Sequence, residues 1–253
     1  MRSAIGICER RIKFFSKIAG IQKKAESPIP KKIPIVILPL CNPAGYVKDW
    51  RYPNRKTRSK KIEVISVGDS EHLLPDLRNR KKARKNKPSC NESDCITSFV
   101  IRTVKDYKPV LVLDFHEDKS STGVYIYSQG RLGEKDPIAK KVVSIIKKSG
   151  FKFYKKATTD FNQKIIGEIV SDVNDGSIDE LLASKEIMLD KKIKRGPYAK
   201  SVIVIETPII GIPLKKRVKA HSKILRSSKK FFKMAEKIEE KREVKSKKKS
   251  EIV

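Results

Sequence analysis

The chain has 253 residues, enough for one large α/β domain or two small ones, and one is the default expectation. Hydrophobic residues make up 38% and charged residues 35%, a globular but unusually wet composition, and Lys and Arg number 59 against 29 Asp and Glu, for a net charge of +30. The longest apolar run, IPIVILPL at 33–40, is too short to cross a bilayer, and the four cysteines form no spaced framework, so membrane-spanning and disulfide-scaffold classes are excluded.

A field of this sign attracts nucleic acid, acidic membrane surface or anionic substrates whatever the fold. The basic residues are spread along the chain rather than gathered into one stripe, which fits solvated lysine on many faces. Cys90 and Cys95 are spaced poorly for structural zinc, and MRSAIGICERRIKFF holds no secretory signal, so the expected location is a reducing cytoplasm with no membrane partner.

In chain order, Ile5, Cys8, Ile12, Phe15, Ile18 and Ala19 recur at helical spacing and predict an amphipathic helix over about 4–24. IPIVILP then reads as a buried strand, and residues 42–61 as a long ordered loop of turn chemistry and charge. IEVISVG is a short strand candidate. The basic run from 77 predicts a mobile surface loop near 78–93, closed by Ser93 and Asp94 as a helix cap.

Residues 94–107 place Ile96, Phe99, Val100 and Val104 on one helical face, and the strands VLVLDF and GVYIYS follow. Proline in the first turn and Gly150 at the end bracket a helix over 137–149. NDGSIDELLASKE predicts a turn and a short helix, SVIVIETP another apolar strand, and the segment from 218 a helix that packs through Ile224, Leu225, Phe231, Phe232 and Met234. Residues 241–253 have no apolar face and read as a charged, flexible tail on a single domain spanning 1–240. The alternation predicts an α/β fold with a mixed, mostly parallel central sheet and helices on both faces.

Two of these strands end in chemistry: VLVLDF runs into His116 and VIVI into Glu206. In open α/β sheets, catalytic groups collect outside the carboxyl ends of strands. NPAGYVKDWRYPNR, LVLDFHED and VIVIETP, in that order and with the less specific GSIDELLAS and GPYAKSVIVIETP stretches, resemble the zinc carboxypeptidase-like family, including its succinylglutamate desuccinylase and aspartoacylase branch, over roughly 33–210. The resemblance implies that His116 is the third zinc ligand, Glu206 the general base, and Arg51 of DWRY the group that polarises the scissile carbonyl. Zinc held by three protein ligands keeps a position open for water, whose pKa falls towards ~7. An oxyanion donor such as Arg51 is worth about 3–4 kcal/mol in other enzymes. Asp114, with Glu117 or Asp118, is placed to orient the His116 imidazole.

The sequence departs from that family twice. Its H-x-x-E motif, which supplies the first two zinc ligands, does not follow His72, His116 or His221, so only one of three protein ligands is present. The expectation is a chain that starts downstream of the motif or has lost it, and that is inactive on its own. The second departure is the Asn-Arg carboxylate clamp, replaced in SVGDSEH by Asp69, Ser70 and Glu71, which could instead receive a cationic substrate group. Asn54 and Arg55 are adjacent but lie close to Arg51, and His72 reads as a loop histidine. The implied activity is zinc-dependent hydrolysis of an amide or peptide bond in a peptide or N-acyl amino acid. Two other readings stay open: a basic nucleic-acid-binding protein on a degenerate hydrolase scaffold, carried by RNRKKARKNK and KSKKKS, and a non-catalytic subunit completed by another chain. Nothing in the sequence fixes an oligomeric state.

Overall fold

The computed structural model describes residues 35–38, 68–118, 121–154, 158–159, 163–171 and 173–238. The predicted helix at 4–24, the loop at 42–61, all of IEVISVG except Gly68, and the tail at 241–253 lie outside these residues. Strands β1 (Leu111–Asp118), β2 (Tyr125–Ser128), β3 (Ile165–Ile166) and β4 (Ile169–Val170) are joined in one sheet by a late strand, while β5 (Glu186–Leu189) and β6 (Lys192–Arg195) form a separate hairpin. The late strand is β7 (Ser201–Pro208), and the sheet order is β1-β7-β2-β4-β3. Its longest pairing, β1 with β7, is parallel from Leu111–Ser201 to Asp118–Pro208; β2 joins β7 antiparallel and β4 parallel. The predicted α/β class with a mixed sheet is therefore present.

Helices α1 (Asn91–Asp106), α2 (Pro137–Lys148), α3 (Ile178–Ala183) and α4 (Leu214–Arg226), with a further helix α5 over 228–238, cover the two faces. Side chains alternate along a strand. Leu111, Leu113 and Phe115 of β1 therefore share a face with Ile203 and Ile205 of β7 and Ile126 of β2, against Ile138, Ala139, Val142, Val143 and Ile146 of α2 and Ala220, Ile224, Phe231 and Ala235 of α4 and α5. The opposite face carries Tyr125, Tyr127 and Val204, and beyond it Leu181 of α3 packs with Leu74, Val100 and Ile187.

Local chemistry fixes α2 as predicted. Asp136 accepts a 2.7 Å bond from Ile138 N and another 2.7 Å bond from Ser201 Oγ, tying the start of the helix to the start of β7. At the other end Gly150 has φ +76°, which lets the chain turn away without a Cβ penalty.

Several local expectations are corrected. α1 starts at Asn91, not after a Ser93–Asp94 cap, because the Ser93 hydroxyl lies inside the first turn and donates to Asp69 Oδ1 at 2.9 Å. Residues 35–38 form no strand and are exposed, with Pro34 and Pro39 removing ladder donors at both ends of the run. Leu225 is 45% exposed: the buried stripe of α4 runs through Arg217, Ala220 and Ile224, and Leu225 lies a further 100° or so around the helix. Strands β3 to β6 were not predicted at all.

Candidate metal centre

Strand alternation and register assemble the site. His116 falls within β1, two residues before its end, and Asp114 lies on the same face. In the parallel register His116 faces Glu206 on β7, and in the antiparallel register Glu206 faces Tyr125 on β2, so the three form a row across neighbouring strands. His116 Nδ1 is 3.9 Å from Glu206 Oε1, and His116 Nε2 is 2.9 Å from Asp114 Oδ2. The imidazole is half exposed while the Glu206 side chain is 16% exposed, so the ring reaches solvent with a shielded carboxylate beside it.

The third wall is α3, which packs on β1 and β7. Ser177 starts this helix by accepting from Glu180 N at 3.1 Å, and the first turn directs Asp179 at Asp114 and His116. Asp179 is only 5% exposed. One ligand atom each from Asp114, His116 and Asp179 lie within 4.8 Å of one another. No sequence reading assigned Asp179 a role; the one signal was an acid in the first turn of the GSIDELLAS helix, which helix-dipole chemistry explains equally well.

The charges show what this cluster lacks. Burial, followed by the neighbouring Asp114 charge, pushes the Asp179 carboxyl well above its ordinary range. Desolvation opposes a charged His116, but the Asp114 hydrogen bond and the charges of Asp114, Glu206 and Asp179 outweigh it and raise the imidazole to about 9. Desolvation likewise opposes the Asp114 carboxylate, and the bond and charge of His116 nevertheless hold it below its usual value. The trio thus places two carboxylates and an imidazole around one point, with a buried acid that is short of positive charge. One nitrogen and two oxygen donors fit a divalent cation, and three protein ligands leave positions for water or substrate.

The other predicted residues fall as follows. Asp114 orients the imidazole, whereas Glu117 turns to the opposite face and pairs with Arg217, and Asp118 accepts a 2.9 Å bond from the Tyr125 hydroxyl. Burial and the adjacent Glu206 charge keep that phenol protonated. Asp69 accepts from Ser93, Ser70 N donates to Gly176 O at 2.7 Å, and burial raises the Glu71 carboxyl against the pull of Lys85 and Arg84. These three line the start of α1 and the turn before α3 and make no hydrogen bond to the metal trio. His72 sits 3.4 Å from Thr97 Oγ1, and His221 bonds Thr207 behind the sheet. Arg51, Asn54 and Arg55 lie outside the described residues.

No family model matches the chain, and no curated protein matches it. Among solved structures, a putative metallopeptidase from Shewanella amazonensis superposes with a TM-score of 0.55 at 17% identity, covering 78% of this chain and 62% of the other. A second from Shewanella baltica gives 0.54 at 16% identity with the same coverage, and a third from Shewanella denitrificans gives 0.50 at 15% over 77% and 58%. At these identities the likeness establishes the fold alone, the α/β architecture that the chain shares with these proteins. The chain spans less than two thirds of the length of these neighbours.

Proposed function

We propose that this protein is a metal-dependent hydrolase of amide or peptide bonds, with zinc as the expected ion and a peptide or N-acyl amino acid as substrate. The observation that carries the reading is the convergence of Asp114, His116 and Asp179 beside Glu206 at the carboxyl ends of two parallel strands. It supplies from within this chain two donors that the missing H-x-x-E motif left unaccounted for. A bound cation would polarise the scissile carbonyl and acidify water. Asp114, His116 and Asp179 would hold it. Glu206 takes the proton of the attacking water and passes it to the leaving nitrogen, a role that contributes about 10²–10⁴-fold in rate. Tyr125 and Asp118 fix the strand edge next to Glu206 through their hydrogen bond. Arg51 stays in this reading as the expected oxyanion partner.

The test is hydrolysis of a panel of N-acyl amino acids and short peptides by zinc-loaded protein and by Glu206→Gln. The reading expects turnover that falls at least a hundredfold in the variant while bound zinc is unchanged. Wild-type turnover no faster than the variant's across the whole panel overturns it.

A further inference from the structure

Asp114 and His116 project from one face of β1, and α4 and α5 cover the other. That far side has an unusual surface. From Ile209 to Ala235 the chain holds nine Lys and Arg and no acid, so its field is uniformly positive. Four large aliphatic side chains in the same segment are nevertheless turned to solvent: Ile210, Leu214, Val218 and Leu225 are 71%, 62%, 53% and 45% exposed.

Helix geometry sorts these residues into rows. At about 100° per residue, Leu214, Val218 and Leu225 fall within about 40° of one another, in a line about 16 Å long at about 1.5 Å per residue. Lys215, Lys219 and Arg226 each follow one of them and form a parallel basic row about 100° further round. The buried stripe of Arg217, Ala220 and Ile224 flanks the aliphatic row on its other side. The basic residues that serve the fold point elsewhere. Lys216 Nζ donates to Gly150 O at 2.8 Å, Lys223 Nζ donates to Ser149 Oγ at 3.3 Å, and Arg217 pairs with Glu117. Lys215, Lys219 and Arg226 make no such bond among the described residues.

Single exposed aliphatic residues are ordinary, whereas a row of three on one helix, with Ile210 exposed in the turn before it, is an apolar strip. The charges select an anionic partner, and the strip selects one that also takes up aliphatic side chains. Nucleic acid meets only the first demand, since neither row contains an aromatic residue to stack on a base. Protein interfaces are anchored by Trp and Tyr far more than by Leu and Val. A second copy of this chain, or its own segment at 4–24 with six basic residues and one acid, would set like charge against like. An anionic bilayer meets both demands: the aliphatic row enters the boundary between headgroups and acyl chains while the basic side chains reach the phosphates. We propose that α4 is a docking surface for an anionic lipid membrane, with Leu214, Val218 and Leu225 inserted and Lys215, Lys219 and Arg226 on the headgroups. The expectation of no membrane partner concerned spanning segments and signals, which an in-plane helix does not need. The sheet lies between α4 and the metal centre, so docking is separable from hydrolysis.

Co-sedimentation of the metal-free full chain with vesicles tests this, using phosphatidylcholine alone and phosphatidylcholine with phosphatidylserine at roughly one lipid in three. Saturable binding to the mixed vesicles is expected, with binding to phosphatidylcholine alone at least tenfold weaker. Leu214→Ser/Val218→Ser/Leu225→Ser leaves the net charge unchanged and should weaken binding at least tenfold. Lys215→Gln/Lys219→Gln/Arg226→Gln should do the same. Lys81→Gln/Lys82→Gln/Lys85→Gln, an equal loss of charge from another exposed basic run, should change it less than twofold. All of these positions are exposed, so the fold tolerates the changes. No binding to the mixed vesicles, equal binding to phosphatidylcholine alone, full binding by the serine variant, or equal losses in the two glutamine variants overturns the proposal. So does a wild-type dimer, or binding to an RNA homopolymer, that the serine variant abolishes.

Discussion

Asp179 is the residue on which the metal centre turns, and its burial makes a sharp prediction. Burial, followed by the Asp114 charge, disfavours its charged form, so isosteric replacement by Asn relieves a buried charge rather than stranding one. Asp179→Asn should therefore leave the melting temperature of the metal-free protein nearly unchanged while reducing metal affinity by more than the about 10–100-fold that loss of an outer-shell partner costs. His221 gives a second prediction at this scale. Burial depresses its pKa below the ordinary value, so between the folded and unfolded pKa values the unfolded chain binds more protons and stability rises with pH. Acidification below about 6.5 should destabilise the fold, and His221→Gln should flatten that slope in denaturant titrations at successive pH values; an unchanged slope contradicts the assignment. His116 and Glu206 were legible in the sequence because each interrupts an apolar β-branched run. Asp179 was not, since its distance from His116 closes only through the packing of α3 on the sheet.

Among the elements, α2 is set by capping and a clean apolar stripe. Ile146 is fully buried between the sheet and α4, and Ile146→Ala should cost about 2–5 kcal/mol in chemical denaturation. Asp136→Ala should cost at least the about 1–2 kcal/mol of a lost cap, because Ser201 Oγ also loses its acceptor. Helix α2 and strand β7 were readable from local pattern: proline and glycine at the helix ends, and the apolar β-branched run over 202–205. The β5–β6 hairpin was hidden because its turn uses Asp190 and Lys191, both at positive φ, where Asn-Gly or Asp-Gly would have announced it. β3 and β4 have two residues each, too short for any period to register. The displaced start of α1 has a tertiary cause, the Asp69–Ser93 bond, that no local pattern contains.

For the molecule as a whole, the site depends on joining the sheet to the layer that carries Asp179. Arg84 pairs with Glu180 at 2.5 Å with both side chains largely buried, strapping the turn around Leu74 to α3. Removing the guanidinium strands a shielded carboxylate, so Arg84→Met should destabilise the fold by about 3–5 kcal/mol and weaken metal binding through α3. Among the described residues no helix is long and apolar enough to cross a membrane. The mixed sheet with helices on both faces was legible from the alternation of elements, whereas the convergence of β1, β7 and α3 on one point required coordinates. That convergence is tested most directly by titrating zinc into the metal-free protein and its Asp114→Asn, His116→Ala and Asp179→Asn variants, with stoichiometry read by calorimetry. One ion per wild-type chain, lost in each variant, is the predicted result; binding that survives all three substitutions, or no binding to the wild type, contradicts it.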